Sequence, residues 1–352
     1  MAHRSVCRLV CALTVMWTAV CQAEDRASSS TARKAQGGAY RLEEVTVQAQ
    51  EIRAAGPFLP DVAGTHIHAG KKTAAIDLAT PPPIVNNNYR QVLAGTPGLL
   101  VSEETTPLLS IGYRGLDPHR AQFTQVLKDG VPIHAEMFGY PDAYYVPPLQ
   151  SIERIEFVHG GASLMYGPQP GGALNFITKQ PALGTPLEMF TENSFGTDEL
   201  FSHYTSLSGT LEPFGYLGYV HEREGNGFRE SNSDFEVLGG GLKTTLAQTA
   251  DARWILNYDE YHEEHGEPGG LTKAAAESEG RDQTTRFHDR FRLERYYGTL
   301  LYERRLSDTG QLEFRTFGGH YRRYSKRQRG GGFGTLPTGA SAGTNSIEEQ
   351  DL

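Results

Sequence analysis

The chain has 352 residues with 33 Lys and Arg against 42 Asp and Glu, a formal net charge of -9, and this acidic balance argues against nucleic acid as a partner. Its mean hydropathy is -0.45, and beyond residue 23 no apolar run reaches the roughly 20 residues of a membrane helix, so a helical membrane protein is excluded, whereas a transmembrane β-barrel, whose strands alternate and average out as polar, is not. The 40 glycines, 19 prolines and 10% aromatic residues point to turns and strands rather than to a helical bundle.

Residues 1–23 read as a signal peptide: Arg4 and Arg8 precede the apolar run Leu9–Val20, and Cys21-Gln22-Ala23 forms a small-residue cleavage site before Glu24 and Asp25. The run is too short for a membrane anchor, and a lipoprotein site at Cys21 meets the bulky Val20. Cys7, Cys11 and Cys21 all fall inside this segment, so the exported chain is expected to hold no disulfide and no thiolate site. Residues 24–41 are small and polar without a period and read as a flexible tether. "LEEVTVQAQ" (42–50) follows, with Leu42, Val45 and Val47 alternating among Glu43, Glu44 and Thr46. A lone strand lacks a pairing partner, so that partner is expected on another chain.

Between residues 51 and 180 the texture is one of short mixed elements. "NNYRQVLAGTPGLLV" (87–101) predicts a short helix through Val92 and Leu93, stopped by Gly95 and Pro97. "FTQVLKDGVPIH" (123–134) predicts a hairpin, because Asp129-Gly130 supplies the positive φ angles of a tight primed turn. "SIERIEFVHGGASLMYGPQPGGALNFITK" (151–179) predicts strand, glycine-rich turn, strand.

From about 186 the alternating segments lengthen, with strands expected near 187–196, 199–211, 214–223, 234–246, 251–262, 291–305 and 311–325. In "RWILNYDEY" (253–261), Trp254, Leu256 and Tyr258 share one face, and Arg253, Asn257 and Asp259 the other. That pattern suits a barrel wall between lipid and a wet lumen, or one sheet of a soluble protein. The polar stretches 263–290 and from 326 onward are expected as loops on one rim.

Signals for enzymatic chemistry are weak. "HEEH" (262–265) and "HIH" (66–68) bring histidines close, yet the first lacks the His-Glu-x-x-His order of zinc hydrolases. "GGGFG" (330–334) lacks the Lys-Ser/Thr of a phosphate loop. No nucleophile and base pair stands out, and the chain is not expected to be an enzyme.

"IGYRGL" (111–116), "VLKDGVPI" (126–133) and the 151–179 segment, in this order and spacing, resemble the plug domain of TonB-dependent outer-membrane receptors. The resemblance implies an α+β plug domain followed by the first antiparallel strands of a transmembrane β-barrel, incomplete in this chain. It divides the sequence into a signal peptide (1–23), a tether with a TonB box (24–50), a plug (51–180) and a partial barrel (181–352). Leu42, Glu43, Glu44, Val45, Thr46 and Val47 would be the TonB box, adding edge-on to TonB of the inner-membrane complex with ExbB and ExbD. Arg114, Glu153, Arg154 and Glu156 would form plug–barrel ion pairs, which hold a plug in register without an apolar seal. His159 stands where the family commonly has Arg.

"RGLDPHRAQFTQVLKDGVPI", "FGYPDAYYVPPL" and "MYGPQPGGALNFITKQP" in the plug, with "GNGFRESNSDFE" (225–236) and "HGEPGGLT" (265–272) beyond it, are similar to ferric dicitrate receptors. The ligand implied is a ferric siderophore, ferric citrate or a similar anionic chelate, so iron arrives as cargo and no protein-bound cofactor is implied. An anionic chelate calls for cations and hydrogen-bond donors at the plug apex, which makes Arg114, His119, Arg120, Gln122, His134 and Tyr140 the candidates. Where that subgroup reads Tyr-Gly-Gln-Pro-Gln, this chain has Phe138-Gly139-Tyr140-Pro141-Asp142, losing both glutamines and gaining an acid. The short tether leaves no room for the periplasmic signalling domain often found in that subgroup.

The family closes its barrel with about 22 strands, whereas roughly seven are expected here, and the sequence finishes in "SIEEQDL" rather than in an aromatic strand. The expectation is therefore a truncated receptor at the outer membrane of a Gram-negative bacterium, in contact with lipid, TonB and a ferric siderophore. The other readings are a soluble periplasmic binding or signalling module and, further off, a secreted metal hydrolase built on His262 and His265.

Overall fold

A computed structural model describes residues 57–78, 84, 87–103, 109–116, 118, 121–133, 145–160, 166–167 and 169–328, and the backbone of 345–351. The expected signal peptide, tether and TonB box lie outside the described residues, as does "GGGFG".

The first part of the chain builds a small mixed layer. Strands β1 (Val62–Ala63) and β2 (His66–Ile67) form a hairpin. They are followed by β3 (Thr73–Asp77), helix α1 (Tyr89–Leu93) and the pair β4 (Leu99–Glu103) and β5 (Leu109–Tyr113). Then come β6 (Gln125–Lys128), β7 (Val131–Pro132), β8 (Ile152–His159) and β9 (Gly172–Thr178). These join β3 in a five-stranded sheet of order β3-β8-β9-β6-β7, in which only β6 and β9 run parallel.

Local chemistry explains the short elements. The side chain of Asn88 caps α1 by accepting from the Gln91 N–H at 3.0 Å, satisfying one of the orphan donors of a helix start. Tyr89 and Leu93, four residues apart, are buried on one face. The β6–β7 turn has φ of 49° at Asp129 and 75° at Gly130, the left-handed pair of a primed hairpin turn.

The second part is a meander of eight antiparallel strands in sequence order: β10 (Glu188–Phe195), β11 (Phe201–Leu211), β12 (Phe214–Gly225), β13 (Phe235–Thr249), β14 (Ala252–Gly266), β15 (Arg290–Ser307), β16 (Gly310–Gln328) and β17 (Asn345–Asp351). Two-residue turns at 212–213, 250–251 and 308–309 mark one end, and the longer connections 226–234 and 267–289 the other. The seven strands expected from alternation all form, with ends shifted by a few residues. Two expectations about loops need correction. The stretch 263–290 begins as strand to Gly266 and contains helix α2 (Lys273–Ser278), and past 326 the chain continues as strand to Gln328 and again over Asn345–Asp351. In each case a cross-strand neighbour extends the ladder: His265 lies opposite Phe291, and Lys326 opposite Arg290. Among the described residues no helix is long and apolar enough to cross a membrane, which says nothing of strands.

The wall has two distinct faces. On β14, Leu256 and Tyr258 are 45% and 42% exposed, while Ile255, Asp259 and Tyr261 are buried. Buried side chains from both layers share one core, with Leu93, Ile155 and Phe176 of the small layer packed in the same cluster as Val237, Phe291 and Leu293 of the wall. On the opposite face the cross-strand partners Phe214, Leu246, Trp254, Tyr302 and Phe314 stand in one row over five strands. Its Trp254 and Tyr302 rings are 4.5 Å apart. A second outward row, Glu260, Tyr296 and His320, lies about 20 Å away along the strands at about 3.3 Å per residue.

Candidate functional site

The closest polar coupling between the layers is at the β6–β7 turn. Lys128 and Asp129 are consecutive strand-end residues and so point to different sides, letting one short turn engage several wall strands. The Lys128 ammonium forms a buried ion pair with Asp259 of β14, which also accepts from the Tyr219 hydroxyl at 3.3 Å. Asp129 faces Lys243 of β13 at 3.4 Å, and its carbonyl accepts from Arg315 of β16 at 2.8 Å. Within its own layer the Asp129 carboxylate accepts from the Thr178 N–H at 2.9 Å and the Thr178 hydroxyl at 2.6 Å. Gly130 suits the turn by its positive φ, and a Cβ there would displace the Arg315 guanidinium from the Asp129 carbonyl.

Burial by itself would lower the Lys128 pKa, yet the Asp259 carboxylate outweighs it and holds the ammonium well above its ordinary value. Burial would likewise raise Asp129, but Lys243, the two Thr178 bonds and Lys128 bring its carboxyl below the usual range. Both groups are therefore charged at neutral pH, and the turn is clamped by opposite charges from two wall strands and by Arg315 on its carbonyl from a third. A second polar link is Gln150, which donates to Glu192 of β10 at 2.6 Å. Near the first hairpin, Thr65 donates to Glu313 of β16 at 3.1 Å.

An aromatic contact accompanies the clamp. Tyr145 meets Tyr261 of β14 edge-to-face at 5.1 Å and lies 4.5 Å from the Arg295 guanidinium of β15. Next to it a small cavity opens between Asn87, Pro148 and Gln150 on one side and His203, Tyr204 and His221 on the other.

The residues expected at the interface are arranged differently. Arg154 pairs with Glu153 at 3.4 Å and with Glu156 at 2.9 Å, all within β8, instead of reaching the wall. Arg154 and Glu156 are two apart on a strand, hence side by side on one face, and each meets the other before any more distant partner. Arg114, at φ 49°, places its guanidinium 5.1 Å over the Tyr113 ring. Of the ligand candidates, Arg114 and Gln122 are described and no hydrogen bond joins them among the described residues; His119, Arg120, His134 and Tyr140 lie outside. His159 meets the Tyr113 hydroxyl through Nδ1 at 3.1 Å, and burial, then Arg114 and Lys72, lowers its pKa.

His262 and His265 both lie within β14, not at a strand-to-loop junction, and three residues apart on a strand they point to opposite faces. His262 is 2.8 Å from Glu260 and His265 is 2.7 Å from Glu263, so the two cannot share an ion. His68 is satisfied by the Pro60 carbonyl at 3.1 Å and the Tyr166 hydroxyl at 2.9 Å. Among the described residues no group of three His, Cys, Asp or Glu is placed to hold a metal.

Sequence reading missed Lys128, Asp129, Lys243, Asp259 and Arg315 as a set. The available signal was parity, because Asp259 falls on the same alternation face as the apolar Ile255 and Tyr261, where an ionised group needs a partner.

Comparison with known proteins agrees with this architecture. Residues 84–174 match the model of the TonB-dependent receptor plug domain. The ferric enterobactin receptor PirA of Pseudomonas aeruginosa is 28% identical over 163 residues, covering 40% of this chain and 21% of the relative. The crystal structure of the unliganded ferric citrate transporter FecA superposes with a TM-score of 0.64 at 25% identity, over 74% of this chain and 41% of that one. The ferric-catecholate import receptor Fiu from E. coli K12 shares the fold, with a TM-score of 0.58 at 16% identity over 80% and 44% of the two chains. The chain thus spans less than half the length of each of these proteins.

Proposed function

We propose that this chain is part of a TonB-dependent outer-membrane receptor that imports a ferric siderophore, with ferric citrate or a similarly anionic chelate as cargo. The observation that carries the reading is a plug-type sheet clamped by buried charges to a meander whose other face is largely apolar and edged at one end by the row of Phe214, Trp254, Tyr302 and Phe314. Such a face suits lipid, where aromatic girdles sit at the two interfaces of an apolar band about 25 Å tall. A soluble periplasmic module would leave Leu246, Leu256, Leu312 and Phe314, each at least 44% exposed, in water together.

In this reading residues 1–23 direct export and are removed, and Leu42–Val47 add as a strand to TonB, which is energised through ExbB and ExbD. Residues 51–180 fill the lumen and 181–352 contribute wall. The chelate rests on Arg114, His119, Arg120, Gln122, His134 and Tyr140, and its arrival frees the plug for displacement. No covalent bond is made or broken. Citrate is favoured over catecholates by the motifs shared with ferric dicitrate receptors, whereas overall identity, 25% to the ferric citrate transporter and 28% to a ferric enterobactin receptor, does not separate the two.

The test is uptake of radiolabelled ferric citrate and of a ferric catecholate by an iron-starved host lacking its own receptors for both and expressing this gene in full. Import of ferric citrate that stops on deleting 42–47, with surface binding intact, is expected. Import of the catecholate alone would reassign the cargo, and recovery of the protein only in the periplasmic fraction would return the soluble module.

A further inference from the structure

Arg295 of β15 is 3% exposed, and neither of its terminal guanidinium nitrogens has a hydrogen-bond partner among the described residues. It lies between two rings, 4.5 Å from the Tyr145 centroid and 4.4 Å from that of Tyr297. Cation–π contacts offset only part of the cost of removing an ion from water. The nearby inward carboxylates are already engaged. Asp259 is held by Lys128 and Tyr219, and Glu263 accepts through Oε2 from the Tyr261 hydroxyl at 2.7 Å, with the His265 ring 2.7 Å from its other oxygen. Arg295 is therefore a cation whose two terminal nitrogens, part of a planar fork of donors, meet no anion among the described residues.

Its place in the wall bears on what that anion could be. Arg295 lies opposite Tyr321 of β16, and one inward step toward the long-connection end Leu293 lies opposite Arg323; opposed residues share a face. Arg327, on the same face of β16, is engaged by Glu267 and Asp289. Along this line from the rim inward the wall carries Arg327, Arg323 and Arg295, and Arg295 is the one covered by a plug residue, Tyr145.

We propose that Arg295 is a transit site for the carboxylates of an anionic iron chelate, capped by Tyr145 at rest and uncovered when the plug segment carrying Tyr145 moves away from the wall. The proposal rests on the receptor reading above. A planar guanidinium receives a carboxylate through two parallel hydrogen bonds, so the site favours polycarboxylate chelates over neutral ones. It acts after the cargo is first bound, since Tyr145 covers it until then.

The test uses the whole receptor in iron-starved cells and radiolabelled ferric citrate, with two readouts: binding on ice without energy, and uptake at growth temperature. Arg295→Gln is expected to leave binding within about twofold and to lower uptake roughly tenfold, the equivalent of about 1.4 kcal/mol, while Arg295→Lys keeps the charge and retains most of the uptake. Wild-type uptake in Arg295→Gln overturns the proposal. Equal loss of binding and uptake in both variants also overturns it, as that is the signature of a residue needed only for packing. Failure of the underlying reading looks different: wild-type cells then neither bind nor import the polycarboxylate chelate, and the transit site falls with it.

Discussion

Replacing Lys128 by Met isolates the strongest plug-to-wall contact. The Lys128 and Asp259 side chains are only 9% and 8% exposed, so removing the ammonium leaves a buried carboxylate supported by a single 3.3 Å bond from Tyr219. Breaking one partner of such a pair costs about 3–5 kcal/mol, whereas replacing both by apolar residues of similar volume is often close to neutral. Lys128→Met and Asp259→Leu are each expected to destabilise by about that amount, and the double variant by far less, for a coupling energy of at least about 2 kcal/mol. Because both groups are buried, the coupling should persist in high salt, where an exposed pair would be screened. The assay is denaturant unfolding of the chain folded in detergent micelles, followed by fluorescence of Trp254, the only tryptophan beyond Trp17 and a residue of the same strand as Asp259. Additivity of the single variants within about 0.5 kcal/mol would refute the clamp.

Arg154→Ala serves as the contrast: its pairs stay within one strand, Glu153 is 40% exposed, and the more buried Glu156 keeps the Asn175 amide at 3.3 Å, so a loss of about 1–2 kcal/mol, smaller than that of Lys128→Met, is expected in the same assay. Asp129 has a lowered folded pKa, so its contribution is present above the ordinary carboxylate value of 3.8 and is lost as pH falls through the folded value. Acid titration of wild type against Asp129→Asn should show that loss in wild type alone. Gly172 has φ 96° and its Cβ would run into the Val158 carbonyl, so Gly172→Ala should destabilise by at least about 1–3 kcal/mol, read by thermal unfolding. Leu256→Arg puts a charge on the outward face and should reduce folding into lipid vesicles by up to about 2–4 kcal/mol, with little effect if that face is wet.

The wall strands were legible because one apolar face and one polar face write period-two alternation into every segment, as in Trp254-Ile255-Leu256. The β6–β7 turn was legible because Asp129-Gly130 has few other uses. Strands such as β1, β2 and β3 were not, since two to five residues carry no readable period, and the parallel pairing of β6 with β9 is set by tertiary packing. The ion pairs failed for a related reason. A sequence shows that Arg154 and Glu156 are charged, but not that they satisfy each other, nor that Lys128 meets a carboxylate 131 positions away. Arg295 carried no sequence signal, for its isolation is a property of what the surrounding groups have already bound.

The turn at Asp129 also imposes a timetable. Its carbonyl is fastened by Arg315, 186 positions later in the chain, with Lys243 and Asp259 between. A ribosome releases the hairpin long before β16 exists, so the hairpin first stands with its charges hydrated and its sockets missing. Closing a span of that length carries an entropic penalty that grows only slowly with length, so delay is tolerable, but premature docking on three strands is impossible. The two layers are thus committed to each other late, after the sheet has been laid down, and a chaperone that bound the chain before then would meet an open turn bearing Lys128 and Asp129 side by side.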